Sequence, residues 1–315
     1  MYLLGLDIGG TKCAAITAEW DGSTVRIEGR VAISTDHTVS GRAMAERLFS
    51  LADGLLTKKP AAIGISCGGP LDAARGVVLS PPNLPTWHKL PIVAMAEEHF
   101  GVKAHLENDA NASALAEWRF GAGRGYESLV FLTFGTGLGA GLILDGHLYR
   151  GANGNAGEVG HIRLRENGPL GFGKHGSFEG FCSGGGIARL AAALGEEYRG
   201  RGVTPTYCPE GEGEKEITAR TVAEAARAGD EAAAEVFRTV GERLGEGLAI
   251  LADVLNPEAV VIGSIYTRCE DLLAEGARAA LMREALGETA GILQILPAAL
   301  GEEIGDYAAI AAALL

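Results

Sequence analysis

The sequence predicts an α/β protein of two similar lobes, and three observations lead there. Strand-like apolar runs alternate with helix-like runs along the whole chain. A strand, a glycine turn and a second strand at 2–18 return in the same pattern at 129–142. A further strand end (Val102, Ala104, Leu106) runs into Glu107-Asn108-Asp109-Ala110-Asn111, then into a helix-like stretch at 112–120 closed by Gly121. Polar groups at a strand end of an α/β protein face the crevice where ligands bind. Asp109 is therefore a carboxylate placed to meet a substrate. Taken alone, the same stretch also reads as Asn108 or Asp109 capping the helix.

Composition sets the limits. A chain of 315 residues suits two domains, and 47% apolar residues can build sizeable cores. The 47 glycines gather in short clusters, as close backbone approaches to ligands require. A net charge of −13 disfavours nucleic acid as a partner. It leaves nucleotides possible, because backbone N–H groups can hold anions locally. Five cysteines without a C-x-x-C pair read as reduced, cytoplasmic usage. No basic n-region precedes the first strand and no apolar run has membrane-spanning length, so neither a signal peptide nor a membrane partner is expected.

In chain order, residues 2–6 form a buried strand, Asp7-Ile8-Gly9-Gly10-Thr11-Lys12 a turn, and 13–18 the returning strand, ended by Asp21-Gly22. Such a hairpin is usually structural, but Asp7, Thr11 and Lys12 make this turn a setting suited to phosphates. An amphipathic helix at 40–58 and a strand at 61–66 lead to Cys67-Gly68-Gly69-Pro70, where Gly69 can offer backbone to a substrate. Trp87, in a proline-rich loop at 80–87, reads as a packed anchor in preference to a lid. A helix at 91–100 stops at Gly101. In the second hairpin, Gly135 falls on Gly9, Thr133 on Asp7, Ala140 on Ala14, and Asp145-Gly146 near Asp21-Gly22. Two such turns facing a shared cleft could clamp a polyphosphate through N–H groups. Neither is a Walker A loop.

The glycine-rich run 151–161 carries Glu158 and His161, a carboxylate and an imidazole suited to sugar hydroxyls. Glu179 precedes a helix capped by Ser183, and a lone glutamate there is more often solvated than functional. Residues 203–216 read as an acidic surface loop. Helices follow at 218–228 and 230–255, the second stopped by Asn256-Pro257. A strand at 259–263 ends in Gly263-Ser264, whose tip could face a nucleotide base. A helix at 271–281, a strand at 292–297 and an apolar helix at 304–315 complete the chain.

With these pieces in place the sequence closely resembles the ROK family of sugar kinases and related repressors. The matching stretches are 6–12, 106–111, 134–139 and Gly157-Glu158-Val159-Gly160-His161, then Glu179 with Ser183-Gly184, 217–220, and Asn256-Pro257-Glu258. They occur in family order and cover nearly the whole chain. The resemblance implies an actin-like ATPase (ribonuclease H-like) fold with ATP and sugar in a cleft between two lobes. One lobe would comprise 1–120 plus 298–315, the apolar helix at 304–315 returning to it, and the other 121–297. It implies Asp109 as catalytic base, and Gly69, Asn108, Glu158, His161 and Glu179 as holders of sugar hydroxyls. It implies Asp7, Gly9, Gly10, Thr11 and Lys12 as the first phosphate loop, Thr133, Gly135, Thr136 and Gly137 as the second, and Gly263 as the adenosine-side turn. Mg²⁺ would be held by Asp7 through water, and a homodimer is the family expectation.

Two departures stand out. Many members bind zinc through three cysteines and the histidine of G-E-x-G-H. Here Leu170, Phe172 and Ser177 occupy the cysteine positions, so zinc is not expected and Leu170 and Phe172 should pack in its place. His161 then needs another support. The adenosine-side turn, Gly263-Ser264-Ile265, is also poorer in glycine than usual.

The expected function is ATP-dependent phosphorylation of a hexose. Glucose comes first on family frequency, with fructose, N-acetylmannosamine, N-acetylglucosamine and allose as alternatives. A sugar-sensing repressor is the main rival. It would carry a helix-turn-helix ahead of the first hairpin, where Asp7 here lies near residue 1, and the acidic charge opposes it further. A catalytically weak sugar-binding sensor and an actin-fold enzyme acting on an acyl or polyol substrate are the others.

Overall fold

The computed structural model describes residues 1–208 and 217–315. Part of the expected acidic loop, 209–216, lies outside the described residues. By contacts the chain divides into two compact units. One is Met1–Tyr126 with Gly141–Ala156 and Ala299–Leu315; the other is Glu127–Ala140 with Gly157–Ala298. The segment Gly141–Ala156, placed in the second lobe by the division at residue 120, groups with the first.

The first unit is built on a sheet of β1 (Tyr2–Ile8), β2 (Lys12–Trp20), β3 (Val25–Ser34), β4 (Ala62–Cys67) and β7 (Ala104–Asn108), in the order β3-β2-β1-β4-β7. Two short strands, β5 (Leu71–Asp72) and β6 (Val77–Val78), pair with each other. Central β1 is antiparallel to β2 and parallel to β4. Both of its faces are covered, which is why its sequence reads as an unbroken apolar run. Leu4, Leu6 and Ile8 face the core under α1 (Gly41–Leu55) and α2 (Ile92–Phe100), along with Trp87, which is 1% exposed and so the expected anchor. Leu3 faces the other way, onto Ala309 and Ile310 of α10 (Ile304–Ala312). Side chains alternate along a strand, so Asp7 shares the α10 face with Leu3. α3 (Asp109–Phe120) begins directly where β7 ends.

The second sheet has β8 (Leu129–Phe134), β9 (Leu138–Leu144), β10 (His147–Tyr149), β13 (Ala259–Ile262) and β14 (Gln294–Pro297), in the order β10-β9-β8-β13-β14. Its antiparallel meander followed by two parallel strands repeats the order of the first sheet. The duplication suggested by the two hairpins is thus present in the strand topology. β11 (Leu170–Gly171) and β12 (Lys174–His175) form a small hairpin ahead of α4 (Phe178–Phe181) and α5 (Gly184–Gly200). α6 (Ala219–Arg227) precedes the long α7 (Glu231–Leu255), which Asn256 ends in the left-handed conformation. α8 (Ile265–Glu284) starts before the predicted residue 271 because Cys269 breaks its geometry, and only the part beyond that break has an uninterrupted helical pattern. α9 (Gly287–Ile292) leads into β14.

Candidate active site

The junction of β7 and α3 resolves the ambiguity at Asn108 and Asp109 by dividing the labour. Asn108 is the N-cap, its Oδ1 accepting from the Ala110 N–H at 3.0 Å and from that of Asn111 at 3.4 Å. Asp109 is then free of that task and stands exposed, with Oδ1 accepting from the Ala110 N–H at 2.9 Å. A methyl group on Gly68 would meet Asp109 Oδ2 and Asn83 Nδ2, each at 3.6 Å, so these groups share one neighbourhood. A methyl on Gly69 would lie 3.4 Å from Asn108 Nδ2. The protein mass around Asp109 pushes its carboxyl above the usual value, and the Ala110 N–H works against that rise. Because the side chain is exposed, water moderates the effect.

Glu107 supports this junction from below. It is buried, and its carboxylate accepts from the Asn108 N–H at 3.0 Å, Asn111 Nδ2 at 2.9 Å and Arg150 Nε at 2.8 Å. A buried carboxylate with three donors, one of them cationic, is satisfied and fixes what it holds. In the sequence Glu107 stands out only as part of a motif.

At the first glycine turn the Gly9 N–H donates to the Lys12 carbonyl at 3.0 Å, while Thr11 and Lys12 are exposed. Asn83 packs on this turn, since a methyl on Gly10 would come within 2.7 Å of its carbonyl oxygen. Asn83 thus touches both the turn and the neighbourhood of Asp109. Sequence reasoning missed it, because an exposed asparagine among prolines carries no local signal. Asp7 is half-buried beside Gly305 of α10. Burial and the carboxylates of Asp306 and Asp109 push its carboxyl up to about 6, against the pull of Lys12 and Arg30. Asp306 is itself held by Arg30, with Nε at 2.7 and 3.0 Å from its two oxygens.

The second unit carries the other glycine turn. The Gly135 N–H donates to the Gly137 carbonyl at 3.1 Å, Thr133 Oγ1 accepts from the Gly139 N–H at 3.1 Å, and Thr136 is exposed. Glu179, for which the solvated reading was the ordinary one, is only half-exposed and belongs to this turn. Its Oε2 accepts from the Leu138 N–H at 3.1 Å and would meet a methyl on Gly137 at 2.8 Å. A methyl on Gly160 would lie 3.2 Å from Glu179 Cβ, so the same residue also touches the loop of Glu158 and His161. Those two side chains are exposed, with Oε2 and Nε2 3.9 Å apart. Gly263 is buried against Phe131, and the residue open at that turn is Ser264, held at φ 58°.

Neither apolar replacement at the cysteine positions is buried, although the Phe172 ring does pack on that of His161. Leu170 is 41% and Phe172 75% exposed. Ser177 is buried, and its Oγ accepts from the Gly180 N–H at 3.0 Å, capping the short helix that bears Glu179. Among the described residues, no three His, Cys, Asp or Glu side chains gather as a metal site would need.

Each unit therefore brings together one glycine turn with polar groups suited to phosphate and hydroxyl chemistry. The sequence model of the ROK family matches residues 3–314. The chain belongs to the ROK family. Its strand topology is accordingly that of the actin-like ATPase fold. A glucokinase from Thermotoga maritima is 32% identical over 312 residues, covering 97% of this chain and 95% of the relative. A xylose repressor from Caldicellulosiruptor bescii is 31% identical over 284 residues, covering 88% of this chain and 69% of the repressor. Among solved ROK structures, a glucokinase from Streptomyces griseus in complex with glucose and AMPPNP is 32% identical. It has a TM-score of 0.78, with 100% of this chain and 99% of that one covered.

Proposed function

We propose that the protein is an ATP-dependent hexose kinase, with D-glucose as first substrate and Asp109 as catalytic base. The observation that carries this reading is the exposed Asp109 carboxylate, at the start of α3 and beside Gly68 and Asn83, with its neighbour Asn108 taking the capping role. The likeness to named glucokinases supports the substrate class.

In this reading a sugar hydroxyl oxygen forms a bond to the γ-phosphorus, the bond from that phosphorus to the ADP oxygen breaks, and the hydroxyl proton passes to Asp109 Oδ2. Phosphoryl transfer asks the protein chiefly for alignment and charge neutralisation. The N–H groups of the two glycine turns bind phosphate oxygens, with Thr11, Lys12, Thr133 and Thr136 beside them. Gly69, Asn108, Glu158, His161 and Glu179 orient the sugar, and the Gly263 turn lies on the adenosine side. Asp7 fits a divalent cation, since a carboxylate pushed upward by burial and by the neighbouring Asp306 and Asp109 carboxylates gains from a positive charge. Mg²⁺ held there, through water, would neutralise the β- and γ-phosphates. Leu170, Phe172 and Ser177 do not fit zinc, because two lack donor atoms and the third spends its oxygen on a helix cap. The reading includes a cytoplasmic location. It also includes a homodimer, the expectation for the family.

ADP release from Mg-ATP, measured across hexoses, amino sugars and N-acetyl sugars, tests the proposal. Strong release with glucose is expected. Asp109→Asn should retain glucose binding while kcat falls about 10²- to 10⁴-fold; unimpaired turnover would remove Asp109 from the mechanism. The likeness to a xylose repressor favours a second reading, a sugar sensor without turnover. Glucose or xylose binding with no ADP release from any sugar would establish it.

A further inference from the structure

The hairpin of β11 and β12 turns at Phe172 and Gly173, with φ of 45° and 74°. Two successive positive φ values define a turn that favours Asn, Asp or Gly at its first central position. A bulky side chain there is strained. Phe172 recovers little of that cost by burial, since it is 75% exposed. Its ring instead meets the His161 imidazole, with centroids 4.9 Å apart and planes at 87°. The same hairpin supplies a second tie, Lys174 Nζ donating to the His161 carbonyl at 2.7 Å. A strained, exposed aromatic whose ring contact falls on a candidate sugar-binding histidine calls for a functional account.

We propose that Phe172 is a positioning residue for His161, setting the imidazole by ring packing where zinc-binding relatives would use a metal ion. Lys174 fixes the backbone of His161 and Phe172 fixes its ring. Ser177, freed from any ligating role, caps the helix of Glu179. The difference matters chemically. A metal ion takes the lone pair of one imidazole nitrogen, whereas a perpendicular ring contact forms no coordinate bond. An imidazole without a metal bond keeps a donor and an acceptor nitrogen for sugar hydroxyls, here with Glu158 Oε2 3.9 Å from Nε2. The assignment of a sugar to this site rests on the proposed function; the positioning of the imidazole does not.

The test uses Phe172→Asn, which suits the turn and removes the ring, and Phe172→Tyr, which keeps the ring. Proton NMR of the His161 ring and calorimetric titration with D-glucose are read on both, alongside the melting temperature. The expected result for Phe172→Asn is an unchanged or higher melting temperature and loss of the ring-current shift on His161. Glucose Kd should rise about three- to tenfold, the size of one aromatic pair contact, and Phe172→Tyr should restore both values. Added EDTA should change none of these in the parent protein. An unaltered His161 spectrum in Phe172→Asn would overturn the proposal, as would a changed spectrum with unaltered glucose affinity. If the parent protein binds no sugar, the proposed function fails, and the NMR comparison still decides whether Phe172 sets the imidazole.

Discussion

Asp7 holds its proton more tightly in the folded chain, near 6, than an ordinary aspartate at 3.8. The sign follows from linkage: protonated Asp7 favours the fold, fully so below about pH 4, and this stabilisation is lost as pH rises through 6. At about 1.4 kcal/mol per unit, up to about 3 kcal/mol is at stake. Asp7→Asn should therefore melt several degrees above the parent at pH 7.5, and the gap should close towards pH 4.5, as thermal denaturation across that range would show. A gap that widened on acidification would mean that Asp7 is stabilised as the anion. Activity should be lost in the same variant if Asp7 serves the cation. At this scale the sequence was partly legible. Asp109 stood out because three polar residues interrupt an apolar strand end, and Trp87 because a buried indole is the ordinary fate of a tryptophan in a proline-rich loop. Asn83 and the bonding of Glu179 were not legible, since both depend on loops that meet only after folding.

Helix α10 reaches β1 and β4 so closely that small residues are obligatory beneath it. A methyl on Gly64 of β4 would fall 2.0 Å from the Ala309 carbonyl oxygen and 2.3 Å from the Ala313 nitrogen. Those are backbone atoms and cannot rotate away. Gly64→Ala should destabilise the protein by about 2–4 kcal/mol, seen as a lower urea midpoint. A loss below about 0.5 kcal/mol would show that the helix shifts at little cost. Gly54→Ala is the control, with open space at that position and an expected change near zero or slightly favourable. Most elements could be read from periodicity, because α1, α7 and the hairpin strands each repeat one period for several turns or pleats. β3 escaped despite its half-buried alternation from Val25 to Ile33, as arginine and glutamate at the intervening positions made it resemble a surface loop. The opposite error was to expect Leu170 and Phe172 inside: both are exposed, and Phe172 packs only through its ring contact with His161.

Neither compact unit is one stretch of chain. The first is assembled from three segments and the second from two, with crossings at 126/127, 140/141, 156/157 and 298/299. Strand β9 runs through one of these crossings, so melting either unit releases strands or ends that the other needs. Scanning calorimetry should accordingly record a single cooperative transition. Two well-separated transitions would show that the units unfold independently. The division into two parts was legible because the glycine hairpin recurs, but its boundary was not. Gly141 onward looks like a continuation of the second hairpin, whereas close packing of Gly141 on Ala110 and Ala114 of α3 draws it to the first unit.

The place of α10 has a consequence for synthesis. Leu3, Ala14 and Ile16 are made long before the helix that covers them, which is encoded from residue 304 onward. A chain emerging from the ribosome can pair β1 with β2 and β4 early, but one face of that sheet stays wet until α10 has emerged. Between the emergence of β1 and that of α10 the nascent chain thus displays an apolar sheet face, the kind of surface that chaperones shield.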